Sequence, residues 1–202
     1  FNISVIRNKL TKLLDDNEII MPSNFHGLKV GEEVGSFYMI KMLGIYQHDE
    51  DVPQYLYENE GVRAGDVIYE DVSGPDGVPD GKIDANDRIY VKNSSHPDMD
   101  LGLKLNVSYN GFFINALFQG EYGYKQDLNE YYTLENSTLQ KFQRYHLYET
   151  WTPENPNARY PRIKFATTND NNRRASTFWI QDCNFIRLKS LNVGYQFPKK
   201  WI

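Results

Sequence analysis

The sequence predicts an all-β chain of antiparallel strands, and three observations carry that expectation. Residues Leu101 to Gly120 alternate in the manner of a hairpin, Phe185 to Phe197 form a second long alternating run ending at Pro198, and the aromatic share is 14%, with 15 Tyr and 11 Phe. Such an aromatic load suits either a polar-rich binding surface or a β-barrel with aromatic girdles.

Taken in order, Phe1, Ile3 and Val5 alternate with Asn2 and Ser4 and read as the end of a strand. Asn8 to Gly35 reads as a connection, with Leu10, Leu13 and Leu14 in a short helical turn or a further strand. Gly35 to Tyr46 reads as a strand broken by Gly44, and the acidic His48 to Asp51 as a solvated surface. In the hairpin, Leu101, Leu103, Leu105, Val107 and Tyr109 alternate with Gly102, Lys104, Asn106 and Ser108. Asn110-Gly111 follows, a pair that tolerates positive φ at both positions and so favours a type I′ turn. The return strand puts Phe112, Ile114, Ala116 and Phe118 on one face and Phe113, Asn115, Leu117 and Gln119 on the other. From Glu121 to Thr177 the chain is Tyr-rich and polar, broken by Pro153, Pro156 and Pro161, with only Leu139 to Trp151 suited to a helix. In the last run, simple alternation puts Phe185, Leu191, Val193, Tyr195 and Phe197 on one face, with Arg187 and Lys189 among them. Cations so placed would have to snorkel. Phe178, Trp179, Phe185, Tyr195, Phe197 and Trp201 gather toward the ends of this segment, as girdle residues do.

Composition excludes more than it identifies. No run of about 18 apolar residues exists, so no membrane helix is expected, and the start does not read as a signal peptide. Barrel strands need only about 10 alternating residues and escape a mean hydropathy of −0.63. Because the chain opens and closes within strand-like patterns, it is expected to be a segment cut at both ends. The net charge of −5 argues against a nucleic-acid partner. Cys183 has no second cysteine to pair with, and His26, His48, His96 and His146 lack zinc-ligand spacing. No nucleophile elbow, phosphate loop or dinucleotide fingerprint occurs, and nothing singles out a catalytic pair among 27 acidic residues. An enzyme is not expected.

The segment Asp71 to Asp87 spaces aspartates with glycines and resembles the second half of an EF-hand-type loop. Asp76, Asp80, Asp84 and Asp87 are the candidate calcium ligands, Gly81 supplies the bend and Ile83 the apolar pin. Against a full ligand set, Val78 falls at the third position and Asp87 replaces the usual bidentate Glu. The alternative is an Asp/Gly/Pro turn held by side-chain to backbone hydrogen bonds. No cofactor is required, and calcium is the ion that the loop would take.

From the residues alone, a soluble sandwich and a membrane barrel both fit, since one alternation is the other turned inside out. The run Phe185-Ile-Arg-Leu-Lys-Ser-Leu-Asn-Val-Gly-Tyr-Gln-Phe-Pro198 resembles the late barrel region of SusC/RagA-type TonB-dependent outer-membrane transporters. The acidic loop Gly65 to Arg88 and the hairpin Leu101 to Gly120 match in the same order, so the resemblance spans most of the chain. It implies antiparallel strands forming part of a large transmembrane β-barrel with long extracellular loops. Residues 1–202 would then be a partial C-terminal segment of the barrel, with the plug and the other strands elsewhere. It further implies outer-membrane import of oligosaccharides or peptides, driven through TonB, with a SusD-like surface lipoprotein as lid. The Asn110-Gly111 turn would be periplasmic, loops 47–100 and 121–177 extracellular, and the Asn8 to Gly35 connection periplasmic although long for that side. Substrate contacts are expected from Tyr122, Tyr124, Tyr131, Tyr132, Tyr145, Trp151 and Arg159, whose alternative role is packing within the loops or against the lid. The alternative function is a soluble β-rich module that binds carbohydrate or protein, with a calcium-ordered loop.

Overall fold

The computed structural model describes residues 1–13, 19–23, 25–74, 76–128, 144–164 and 170–198. In chain order the strands are β1 (Asn2–Val5), β2 (Ile19–Ile20), β3 (Leu28–Lys29), β4 (Ser36–Ile40), β5 (Met42–Ile45), β6 (Val67–Tyr69), β7 (Arg88–Ser94), β8 (Met99–Tyr109), β9 (Phe112–Tyr122), β10 (Lys125–Asp127), β11 (Ile180–Asp182) and β12 (Phe185–Tyr195). Among the described residues two short α-helices, α1 (Gln54–Asn59) and α2 (Arg144–Tyr148), lie in the connections.

The principal sheet is antiparallel, in the order β1-β8-β9-β12. Its three long strands have 11 residues each. At about 3.4 Å per residue and a tilt of about 40°, each crosses roughly 25–30 Å, the thickness of a membrane's hydrocarbon layer. β8 and β9 pair without slippage from Met99↔Tyr122 to Tyr109↔Phe112. Asn110 at φ 47° and Gly111 at φ 84° close that hairpin, the backbone a type I′ turn requires. Gln196 donates its backbone N–H to the Gly111 carbonyl at 2.7 Å, and the Phe112 and Tyr195 rings meet at a tilt of 53° with centroids 4.6 Å apart.

Everything else leaves the opposite end of this sheet. β1 runs up β8 from Asn2↔Gly102 to Val5↔Met99, so residues 6–98 form one excursion between adjacent strands, and 123–184 form a second. Gly35 to Tyr46, expected to be one strand broken by Gly44, is instead two strands in different sheets. The segment splits at Lys41 into β4, which pairs with β7, and β5, which pairs with β6, both within the first excursion. β4 is buried on both faces, with Phe37 and Met39 on one and Ser36 and Ile40 on the other, and an apolar run of this kind marks a strand without saying which sheet it joins. The correction also removes the awkward connection on the short-turn side, since Asn8 to Gly35 belongs to the long-loop end.

The excursions pack on each other. Ile40, Tyr46, Val52, Leu56, Val62, Val67, Tyr69 and Ile83 form a buried cluster, and Phe37 and Met39 are fully buried in β4. β10 and β11 pair directly above β9 and β12, joined to them at Gly123, whose N–H bonds the Asn184 side chain at 2.7 Å. The helix expected over Leu139 to Trp151 is present as α2 within its described part.

Gly111 combines left-handed φ with a close neighbour, because a Cβ there would lie 2.7 Å from the Tyr195 ring. Gly111→Val is expected to destabilise the hairpin by about 1–3 kcal/mol. The readout is a lower temperature at which the folded protein converts to its unfolded gel mobility.

Candidate functional site

Residues paired across antiparallel strands share a face, so the register sorts the principal sheet into two surfaces. One carries Ile3 and Val5 of β1, then Leu101, Leu103, Leu105, Val107 and Tyr109 of β8, then Phe112, Ile114, Ala116, Phe118 and Tyr122 of β9. β12 adds Ile186, Leu188, Leu191, Val193 and Tyr195. Most of these side chains are exposed, Val107 at 62% and Ile186 at 75% among them. Burying one such side chain is worth about 1.5–3 kcal/mol, so a face of this width disfavours water by tens of kcal/mol. A soluble sandwich would lay a second sheet over it, and among the described residues no such sheet does. The buried cluster lies in the excursions instead.

The other surface carries Asn2, Ser4, Asp100, Gly102, Lys104, Asn106, Ser108, Asn115, Gln119, Glu121, Ser190 and Asn192, with Phe113 and Leu117 among them. The sequence reading put Arg187 and Lys189 on the apolar face, and the register corrects it. β12 has a bulge between Leu188 and Ser190, which shifts the alternation by one residue. Arg187 therefore lies opposite Gln119 on the polar face, its Nη2 donating to Gln119 Oε1 at 3.4 Å, and Phe185 moves there too. Leu188 and Leu191 both remain apolar-side.

The excursions are tied together by a buried carboxylate. Asp66, fully buried just before β6, accepts from Arg162 through both oxygens, Nε to Oδ1 at 2.8 Å and Nη2 to Oδ2 at 3.0 Å. Asn172 Nδ2 donates to Oδ1 at 2.9 Å, and the Arg63 backbone N–H and Lys164 Nζ approach Oδ2 at 3.0 and 3.4 Å. Lys164 also pairs with Asp170 at 2.9 Å. Asn171 and Asn172 extend β6 sideways: Asn172 Oδ1 accepts from Val67 N–H and Asn171 Nδ2 donates to the Val67 carbonyl. Arg174 joins Glu60 and the Ile83 carbonyl. Burial pushes the Asp66 carboxyl up, but the Arg162 hydrogen bonds and the Lys164 charge outweigh it and hold the group below the usual carboxylate range.

The aspartates of the 71–87 segment point their oxygens at backbone. Asp87, fully buried, accepts from Val72, Ser73 and Asp84 N–H groups at 2.8, 3.2 and 2.7 Å. Asp84 accepts from Asn86 N–H and completes a capping box with Asp87. Asp80 accepts from Lys82 N–H, Asp71 from Asp80 and Gly81, and Asp76 is exposed. Asp76, Asp80, Asp84 and Asp87 therefore do not converge. Among the described residues no group of three or more His, Cys, Asp or Glu is placed to hold a metal ion. The side-chain to backbone turn is the arrangement seen.

The residues expected to touch substrate are dispersed. Trp151 is buried at 8% exposure, donates its indole N–H to Gln47 Oε1 at 3.0 Å and lies flat on Gly65, where a Cβ would come within 2.4 Å of the ring. Tyr122 ends the apolar face and is exposed, and Tyr124 sits just above it at the β9–β10 junction. Arg159 is exposed, with its guanidinium 5.5 Å from the Tyr160 ring. Tyr131 and Tyr132 lie outside the described residues, as does the side chain of Tyr145, whose backbone is in α2. The sequence reading missed Asp66. Its one local signal is the turn Arg63-Ala-Gly-Asp66, and its partners stand roughly 100 residues away.

An open antiparallel sheet of membrane-length strands, apolar outside and polar inside, with excursions at one end and a tight turn at the other, defines a segment of transmembrane β-barrel wall. Comparison with known proteins agrees. The chain is 26% identical over 210 residues to TonB-dependent receptor P3 of Formosa agariphila and 23% over 233 residues to TonB-dependent receptor P39 of the same organism. These alignments cover 100% and 98% of the chain and 20% and 22% of the relatives, so the chain spans about a fifth of their length. Among solved structures, the RagAB peptide transporter matches with a TM-score of 0.68 and the open-open RagAB peptide importer with 0.67, each at 22% identity. Each match covers 98% of this chain and 20% of the other, and the likeness is one of fold. No family model matches. The resemblance to SusC/RagA-type TonB-dependent receptors is borne out.

Two measurements check the site. Leu105→Lys, mid-strand on the apolar face, is expected to destabilise the inserted protein by about 2–4 kcal/mol, whereas Asn106→Lys on the polar face is tolerated; denaturant unfolding in lipid vesicles separates them. Asp66→Asn is expected to loosen the excursions by about 2–4 kcal/mol, since it strips a partly solvated cation pair of its partner. Because Asp66 titrates lower folded than unfolded, its stabilisation is complete above the ordinary carboxylate value of 3.8 and drains away as pH falls through the depressed one. Acid sensitivity of Trp fluorescence and of loop proteolysis in the native protein reports this, and Asp66→Asn should flatten it.

Proposed function

We propose that this chain forms barrel wall and outward loops of an outer-membrane importer that takes up oligosaccharides or peptides. The exposed apolar band of the principal sheet, as tall as a membrane's hydrocarbon layer, is the observation that carries this reading. Lipid covers one face, and the polar face lines the lumen. Energy would come through TonB, engaged by a region outside this sequence, and a SusD-like lipoprotein would close over the loop end. The RagAB match supports a two-protein importer of this kind, and the names of the curated relatives support TonB dependence.

On this reading the excursions are extracellular, and their packed polar network is a rigid rim on which a lid can seat. Among the described side chains Tyr124 and Arg159 remain candidate substrate contacts, as do Tyr131, Tyr132 and Tyr145 outside them, and Trp151 acts by holding the rim in shape. The test is fractionation of the native full-length protein. A heat-modifiable band in the outer membrane, co-purifying with a surface lipoprotein, is expected. A water-soluble product would overturn the proposal.

A further inference from the structure

On the apolar face, pairing across the strands arranges the side chains in rows. Ile3, Leu101, Gly120 and Ile186 share one row, and Val5, Met99 and Tyr122, with Asn184 beside them, form the next toward the excursions. Below these, every row has a side chain on each long strand, from Leu103, Phe118 and Leu188 down to Tyr109, Phe112 and Tyr195. At Gly120 that layer is missing one. Ile186 leans toward the gap, its Cγ1 3.0 Å from where a Cβ on Gly120 would stand, and a depression of about 560 Å³ opens between Met99, Leu101, Tyr122, Asn184 and Ile186. Its walls come from β8, β9 and the root of β12, which are neighbours in the sheet, so no strand outside this chain closes it.

Depth and chemistry select the occupant. The five row steps from Tyr122 to the Tyr109 row span about 26 Å along the membrane normal, at about 6.8 Å per step and a tilt of about 40°. The depression therefore lies just inside the outer edge of the hydrocarbon layer, at the depth where an acyl chain joins its headgroup. Apolar side chains form its floor and flanks, and a void among them forfeits dispersion contacts that a bent chain restores. At the upper lip, Asn184 uses Oδ1 to accept from the Gly123 N–H, which leaves its Nδ2 a donor with no acceptor among the described residues, and the exposed Tyr122 adds a hydroxyl. An apolar seat under two neutral donors matches a hydrocarbon chain that ends in an ester carbonyl. Multiply anionic headgroups are held by basic clusters, and neither Lys nor Arg lines the depression. Its one charged lining residue, Glu121, belongs by register to the opposite face.

We propose that this depression is a binding site for one acyl chain of a glycerophospholipid, with Asn184 Nδ2 and the Tyr122 hydroxyl donating to the ester at its root. The inference rests on the barrel reading above. To test it, the native full-length protein is taken from its membrane into phosphatidylethanolamine vesicles that contain a phosphatidylethanolamine with a diazirine near the ester end of one chain. Ile3, exposed at the same depth but outside the depression, is the internal reference. Irradiation and peptide mapping are expected to place several-fold more label on Met99, Leu101 and Ile186 than on Ile3. Leu101→Trp, which fills the seat, should cut that excess several-fold, and so should Asn184→Asp, which keeps the acceptor for Gly123 and removes the donor. If Leu101→Trp does not reach the membrane, Ile186→Trp should show the same loss. Equal labelling of Ile3 and the seat overturns the proposal, as does an excess that survives either change. Displacement of the label by lipid A at a lower mole fraction than by unlabelled phosphatidylethanolamine overturns it too. A protein absent from the outer membrane overturns the barrel reading together with the seat, whereas a heat-modifiable barrel that labels evenly overturns the seat alone.

Discussion

The structure depends on one constraint: a strand that crosses a membrane must keep every lipid-facing side chain apolar over its whole length. Side chains alternate with a period of two, so a single extra residue would reverse every position beyond it. β12 has such a residue, and the bulge absorbs it, leaving Ile186 and Leu188 on the same surface as Leu191, Val193 and Tyr195. The long pairing of β8 with β9 needs no correction and sets the frame to which β12 adjusts. Backbone pairing within the sheet satisfies the groups that lipid cannot.

Above the sheet the organising force changes. The excursions have a modest apolar cluster, and what links the first to the second is polar: Asp66 with Arg162, Lys164 and Asn172, and β6 with Asn171. A buried carboxylate with this many partners holds its geometry tightly, because each missing partner would leave a charge or amide stranded. The aspartate-rich segment applies the same logic locally, with Asp87 filling three backbone donors. Gly65 lets Trp151 lie flat against the chain beside Asp66, so the apolar and ionic parts of the rim meet at one turn.

Much of the sheet was legible in the sequence, and the reason is local. Asn110-Gly111 carries its turn type in its own chemistry, and the flanking alternation fixed the hairpin and its faces. The faces of β12 were not legible, because a bulge leaves no mark in the composition around Lys189 and is defined only by its partner strand. The β4–β5 segment was misplaced because Phe37, Met39 and Ile40 form part of a short apolar run that reads as a strand, and a run alone does not say which sheet the strand joins. The buried acid was invisible for a different reason. Apart from the turn at 63–66, nothing near Asp66 distinguishes it from the acids at 49–51, and its side-chain partners are brought to it by the fold alone. The expected Tyr and Trp contacts were chosen by residue type, and type cannot separate Trp151, which is interior, from Arg159, which is exposed.

The roots of the two excursions have a consequence for how the loop unit assembles. Met99 pairs with Tyr122 and Glu121 with Phe185, so the four chain ends entering and leaving the excursions are pinned within neighbouring strands about 4.8 Å apart. Asp66 and Arg162 are 96 residues apart along the chain, and in a free chain their meeting would carry the full entropy of closing that loop. Once the wall has zipped, the two segments hang from adjacent posts and the search becomes local. Strand pairing in the membrane thereby sets the effective concentration at which the rim finds itself, and the rim should order after the wall.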